Sequence, residues 1–276
     1  MFKNDLLKNK NIIITGGGTG LGKQMAKTFL EHGADVSILS RNAEHLDAAK
    51  KEMKDYGYNI KTEICDIRDP EEIKKAVDSI EKDNKINVLI NNAAGNFISK
   101  TEDLTPKAFD TVLKIVLNGT SYFSLEMGKR WIENHINGVI LNVVATYAWT
   151  GSGYVVPSAI AKAGVLALTR SLASEWGHYG IRSVAVAPGA FKTEGAWSRL
   201  LPDESYENAI TSRNPMRRLA TKDEIANVAS FLISDMSSYI NGEVLTVDGG
   251  DWLYGSGMFN MMEKLPDDVW KIMRRR

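Results

Sequence analysis

Seven short apolar runs rich in β-branched residues recur along the chain, separated by longer amphipathic stretches, and this alternation limits the fold more than any other feature. The runs are Asn11–Thr15, Asp35–Ser40, Ile60–Cys65, Asn87–Asn91, Gly138–Val144, Arg182–Ala187 and Glu243–Val247. Helical periodicity fills the gaps at Leu21–His32, Ala43–Tyr56, Pro70–Lys82, Thr105–His135, Pro157–Tyr179 and Thr221–Ser234. Short strands flanked by helices suit a parallel sheet covered on both faces. Right-handed crossovers then build a doubly wound α/β sheet of Rossmann type, with its crevice at the carboxyl ends of the strands. The expectation is one domain over residues 1–276, with about seven mostly parallel strands. Residues 195–218 have weaker strand signals and sit where a substrate lid is expected. Residues 251–276 read as a tail packed on the body or on a partner.

Composition narrows the function classes. Lys plus Arg and Asp plus Glu both number 34, so the net charge is zero and no global field draws nucleic acid or an anionic membrane. Cys65 is the sole cysteine, which rules out an intrachain disulfide and suits a reducing compartment. No apolar run approaches a membrane span, and the polar, Lys-rich start lacks the apolar centre of a secretory signal. A cytoplasmic protein without nucleic-acid or membrane partners is expected. The histidines His32, His45, His135 and His178 are scattered without metal-ligand spacing, so no metal is expected.

The first strand runs directly into Gly16-Gly17-Gly18-Thr19-Gly20-Leu21-Gly22 and then an amphipathic helix. Glycines let backbone approach a pyrophosphate, and the helix N-terminus offers free N–H groups and a favourable dipole. The second strand ends Ser40-Arg41-Asn42, where an NAD site commonly places a carboxylate. A guanidinium suits a 2′-phosphate instead, which favours NADP(H); the alternative is an ordinary surface cation. Asp66, after the third strand, either caps a loop or accepts from the adenine amine, with Ile67 beside it.

Asn91-Asn92-Ala93-Ala94-Gly95, Pro188-Gly189 and Val247-Asp248-Gly249-Gly250 follow in an order that resembles the short-chain dehydrogenase/reductase family over nearly the whole chain. The resemblance implies that Asn92 and Ala93 line the adenosine side and that Pro188, Gly189 and Thr193 flank the nicotinamide. It also implies that Asn118 is the family's structural and catalytic asparagine. Most members carry Tyr-x-x-x-Lys on the long helix after the fifth strand. This chain reads Ser158-Ala159-Ile160-Ala161-Lys162, so the lysine is present and the tyrosine is not. The upstream serine is replaced by Ala145 or Thr146. An aliphatic hydroxyl is a far weaker acid than a phenol, so Ser158 is a poor proton donor to an alkoxide.

Asn91–Lys100 (NNAAGNFISK) and Val144–Lys162 (VATYAWTGSGYVVPSAIAK) resemble the 2,4-dienoyl-CoA reductases, as do Trp197-Ser198-Arg199-Leu200 and the tail from Gly257 to Trp270. That resemblance implies a catalytic set of Asn96, Tyr147, Ser158 and Lys162, an acyl-CoA thioester substrate and a homotetramer formed through the long helices. Asn96 and Tyr147 are expected on the thioester oxygen, Lys162 on the nicotinamide ribose, and Ser158 orienting Lys162 or the cofactor. Phe97 is a candidate for the acyl slot, Arg199 for a CoA phosphate, and Trp149, Tyr154 and Trp197 for pocket walls. Each residue has a plainer alternative: a packed loop tyrosine, a turn-forming asparagine, a snorkelling lysine, a surface arginine, a core phenylalanine. Two rival functions remain, a carbonyl reductase acting on 3-oxoacyl thioesters or another ketone, and a noncatalytic NADP(H) sensor or scaffold.

Overall fold

The computed structural model describes residues 4–82, 84–192 and 204–274. Seven strands form one sheet, β1 Asn11–Thr15, β2 Asp35–Ser40, β3 Lys61–Ile64, β4 Val88–Asn91, β5 Val139–Val143, β6 Arg182–Pro188 and β7 Val244–Val247. Their order is β3-β2-β1-β4-β5-β6-β7, and every neighbouring pair is parallel rather than only most of them. The order reverses between β1 and β4, which opens the crevice of a doubly wound sheet there.

Side chains alternate across the sheet with the strand period of two. Ile12 and Ile14 face α1 (Gly20–Glu31), α2 (Ala43–Asp55) and α9 (Lys222–Ile233), packing on Met25, Phe29, Leu46 and Ile225. Ile13, Leu89 and Ile140 face the opposite way, onto α3 (Pro70–Ile80), α5 (Gly119–Glu133) and α7 (Val156–Trp176), packing on Ile73, Phe123, Trp131 and Trp176. Burial on both faces explains why these strands read as continuous apolar runs.

The second face also carries a buried polar chain. Asn91 Nδ2 donates to Ser124 Oγ at 3.0 Å and to Asn142 Oδ1 at 2.9 Å, and Asn142 Nδ2 donates to Thr169 Oγ1 at 2.9 Å. It ties β4 and β5 to α5 and α7, setting the helices' height against the strand ends.

Most expected boundaries shift by a residue or two, and two elements differ more. The helix predicted over Thr105–His135 is α4 (Pro106–Leu113), a wider π turn at Lys114–Asn118, and α5. A π turn admits an extra residue and recurs at functional sites; this one ends on Asn118 and precedes Gly119, where a Cβ would lie 2.6 Å from the Ile67 side chain. β3 is shorter than the predicted Ile60–Cys65: Lys61–Ile64 pairs with Ser37–Ser40, and beyond it only the Cys65 amide reaches β2, donating to the Ser40 carbonyl at 3.1 Å. Within the region expected as a lid, where strand signals are weak, Glu204–Arg213 forms helix α8. No helix among the described residues is long and apolar enough to cross a membrane.

Candidate active site

The turn after β1 is bolted to the turn after β4. Thr15 Oγ1 accepts from the Asn92 and Ala93 amides, each at 3.0 Å, and donates to the Ile90 carbonyl at 3.3 Å. Asn92 Nδ2 donates to the carbonyls of Thr15 at 3.0 Å and Gly16 at 3.2 Å. This closeness is why the loop needs glycine: Gly16 has φ +65°, and its missing Cβ would fall 2.9 Å from Ala93 Cα. Gly22 is equally constrained, because a Cβ there would meet Asn92 Nδ2 and the Gly16 carbonyl at 2.5 Å.

Beside these turns lies a cavity of about 420 Å³ lined by Gly16, Thr19, Gly20, Leu21, Arg41, Asp66, Ile67, Asn92 and Ala93, with Ser40, His45 and Cys65 completing the wall. The residues predicted for the glycine loop and the adenosine side, Gly22 excepted, thus meet at the N-terminus of α1, and the cradle fits the pyrophosphate and adenosine of a dinucleotide. A larger groove of about 550 Å³, lined by Asp35, Asn59 and Glu63 among others, lies at the amino ends of β1 and β2 and carries none of the motif residues.

At the adenosine end, of the two tasks expected for Asp66 the loop cap is present, since its Oδ1 accepts from the Arg68 amide at 3.0 Å. Arg68 Nε donates to both Asp66 carboxylate oxygens at 2.9 Å, while Arg41 Nη1 stands 3.8 Å from Oδ2. The Arg68 hydrogen bonds hold the Asp66 carboxyl below the usual carboxylate range, with Arg41 adding to the effect. Arg68 was not singled out from sequence; its only signal there is its place two residues after Asp66.

At the other side of the crevice, β5 leads into the one-turn helix α6 (Tyr147–Thr150), which presents Tyr147 to the start of α7. The Tyr147 hydroxyl lies 3.1 Å from Ser158 Oγ, and either oxygen can donate. Burial pushes the Tyr147 phenol above its ordinary pKa, and the Ser158 hydrogen bond partly offsets that. Lys162, one turn further along α7, is buried and donates to the Val143 carbonyl at the end of β5. Burial brings its pKa down to about 8. Ser158, expected to orient Lys162 or the cofactor, has its hydroxyl against Tyr147, while Lys162 donates to the β5 backbone.

Asn96 is exposed, and its Oδ1 accepts from the Phe97 amide at 2.9 Å, the local bond of a turn former. The structure does not bring it into contact with Tyr147. Its loop is nonetheless tied to the Tyr147 segment, because the Ser99 amide donates to the Tyr154 carbonyl at 3.0 Å. Phe97 and Tyr154 stand exposed on these two loops. Asn118 is half-buried, and its side chain has no hydrogen bond among the described residues.

Pro188 ends β6 opposite Val247, and Gly189 presses on the following turn so closely that a Cβ would lie 2.7 Å from Asp248 Cα. The Asp248 carboxylate accepts from the amides of Gly250 at 2.8 Å and Trp252 at 2.9 Å. Trp252, in α10 (Asp251–Ser256), then meets Trp149 edge to face with ring centroids 5.8 Å apart. Arg213 of α8 grips Asp251 through bonds of 3.0 and 2.8 Å. The expected packing of the tail on the body is therefore seen at its start, whereas Met258, Phe259 and Met261 are exposed. Thr193, Trp197 and Arg199, predicted for the nicotinamide and substrate, lie outside the described residues.

Comparison with known proteins places this arrangement. A family model described as enoyl-(acyl carrier protein) reductase matches residues 16–251. A Bacillus subtilis (strain 168) protein named as a probable 2,4-dienoyl-CoA reductase, (2E)-enoyl-CoA-producing, is 45% identical over 90% of this chain and 98% of its own. A Caenorhabditis elegans protein named as probable 2,4-dienoyl-CoA reductase 3, (3E)-enoyl-CoA-producing, is 40% identical over 98% of this chain and 90% of its own. Among solved structures, a short chain dehydrogenase from Bacillus anthracis is 46% identical with a TM-score of 0.81, covering 88% of this chain and 96% of that one. A putative 2-deoxy-D-gluconate 3-dehydrogenase from Agrobacterium tumefaciens, solved with bound NADP, is 28% identical with a TM-score of 0.83, over 91% and 100%. With the parallel sheet, the bolted glycine turn and the Tyr147–Ser158–Lys162 cluster already in view, these likenesses identify the chain as a member of the short-chain dehydrogenase/reductase family, an oxidoreductase of the 2,4-dienoyl-CoA reductase-like kind.

Proposed function

We propose that the protein reduces 2,4-dienoyl-CoA thioesters to 3-enoyl-CoA with NADPH, a step in the breakdown of unsaturated acyl chains. The carrying observation is the half-buried Tyr147, whose hydroxyl lies 3.1 Å from Ser158 Oγ on a helix that lacks a phenol of its own. NADPH, when bound, supplies the hydride. Addition at the far carbon of the conjugated system moves negative charge onto the thioester oxygen, and no alcohol is formed. The site then needs a fixed donor for an enolate oxygen more than an acid for an alkoxide. Tyr147 is that donor in this reading. Its raised pKa keeps the hydroxyl protonated, and Ser158 holds its direction. Asn96 joins it when the substrate turns the amide inward. Lys162 binds the nicotinamide ribose, Asn118 supports the lysine's surroundings, and Arg199 meets a CoA phosphate. Proton uptake at the α-carbon completes the 3-enoyl product.

Preference for NADPH over NADH is supported by Arg41 at the end of β2, where no carboxylate stands, and by Arg68 neutralising Asp66. A homotetramer through α5 and α7 is supported by apolar Leu125 and Ile160, both exposed on those helices.

The test is turnover of 2,4-dienoyl-CoA and 3-oxoacyl-CoA with NADPH, run in D2O with the product read by NMR. Deuterium at C2 of a 3-enoyl product is the expected result. Deuterium at C4 would mean the (2E)-enoyl product named for the Bacillus subtilis relative, and turnover of the 3-oxoacyl thioester alone would make the protein a carbonyl reductase.

A further inference from the structure

The cavity at the glycine loop has one wall residue without a task. His45, the third residue of α2, lines it together with Thr19, Ser40 and Arg41. Its backbone also seats the glycine loop. A Cβ on Gly18 would fall 3.1 Å from His45 Cβ and 3.2 Å from the His45 carbonyl carbon and oxygen. The pyrophosphate turn and the first turn of α2 are therefore in contact, and His45 stands at the junction.

Local hydrogen bonds fix that corner. The Asn42 amide donates to Ser40 Oγ at 3.2 Å, and Asn42 Oδ1 accepts from the His45 amide at 3.3 Å as the helix cap. Ser40 keeps its own hydroxyl proton to donate. The first turn of a helix also leaves N–H groups without intrahelical acceptors. A guanidinium, an imidazole, a hydroxyl and a helix N-terminus thus converge on one corner of the cavity. The neighbouring carboxylate, Asp66, is already engaged by Arg68. A basic side chain in a first turn gains nothing from the helix dipole by itself, whereas a phosphate there satisfies both the dipole and the base.

We propose that His45 is a specificity-determining residue for the cofactor, its ring N–H donating to the 2′-phosphate of NADPH beside Arg41. A neutral imidazole retains one N–H, so the contact is available in either protonation state. This inference rests on the reading of the cavity as an NADPH site.

The full-length protein, its His45→Ala variant and its His45→Arg variant are titrated with NADPH and with NADH, following nicotinamide fluorescence. Expected is a loss of NADPH affinity of roughly tenfold or more in His45→Ala, the worth of a hydrogen bond to a charged group, with NADH affinity unchanged. His45→Arg restores NADPH binding. The NADH titration doubles as the control for folding. An unchanged NADPH-to-NADH ratio in His45→Ala, or equal loss of both cofactors, would overturn the assignment while leaving the NADPH reading intact. Equal affinity of the unaltered protein for the two cofactors would instead sink the NADPH reading itself.

Discussion

Tyr147 and Ser158, 11 residues apart in sequence, meet hydroxyl to hydroxyl at 3.1 Å. The contact returns a phenol to the helix position where this chain carries serine. The ring approaches from the sheet side, on a separate turn, so its hydroxyl is set by two elements rather than one. Replacing Tyr147 with Phe removes the donor and leaves the packing. On the proposed reading, kcat with a 2,4-dienoyl thioester falls by about 10²–10³ with KM little changed, the cost of one oxyanion donor. Ser158→Ala removes only a neutral hydrogen bond of about 1 kcal/mol and lowers kcat roughly fivefold. Steady-state kinetics of both variants check this, and a larger loss in Ser158→Ala than in Tyr147→Phe would reverse the roles.

Arg41 is more than half exposed and among the described residues has only a distant ion pair, 3.8 Å to Asp66, so removing it breaks little in the fold. Arg41→Ala is expected to weaken NADPH binding by about 10- to 100-fold through loss of charge-assisted bonds to phosphate. NADH binding stays within about twofold, since NADH lacks that phosphate. Calorimetric titration of each cofactor decides the matter.

Lys162 makes stability depend on pH. In the unfolded chain it holds its proton up to its ordinary value of 10.5, and in the folded protein only up to about 8. Between those values the unfolded state binds more protons, so Lys162 adds stability as pH rises through the window and subtracts most below it. The full effect is about 3 kcal/mol. Cys65, pushed up from 9.0 to about 12, acts in the opposite sense above pH 9, and Tyr147 does so above its ordinary 10.0. Both are shared with a Lys162→Met variant, so the difference between the two proteins isolates the lysine. Urea midpoints from about pH 7.5 to about pH 9.5 should show the variant's advantage shrinking as pH rises. A constant difference would mean that Lys162 does not titrate there.

The polar chain between β4 and β5 carries a separate prediction. Asn142 is fully buried and holds both Asn91 and Thr169. Asn142→Leu keeps the branched outline but leaves the Asn91 NH2 group with one partner fewer, and Asn91 Oδ1 already has none among the described residues. The expected loss is about 2–3 kcal/mol in urea denaturation, the cost of buried polar groups left unmatched.

Much of this molecule was legible in the bare sequence. Strand identity, the parallel crossovers and the glycine turn follow from local pattern, since apolar β-branched runs and glycines act within a few residues of themselves. Serine at position 158 was legible as a departure only against the motif of the family that the chain resembles. Arg68 was not, because an arginine two residues past an aspartate has no signature until the loop folds it back. Nor was the contact of His45 with Gly18, which joins two turns that share no local pattern.

Residue chemistry and spacing by themselves determined that the chain would form a parallel sheet with a dinucleotide loop; that a phenol is needed away from the long helix came from the family resemblance. Only the tertiary structure decided that Ser158 pairs with Tyr147 while the Val143 carbonyl holds Lys162, and that Asn96 bonds to its own loop. Those choices depend on how far β5, α6 and α7 stand from one another, a distance set by core packing across the whole sheet rather than by any neighbouring residue.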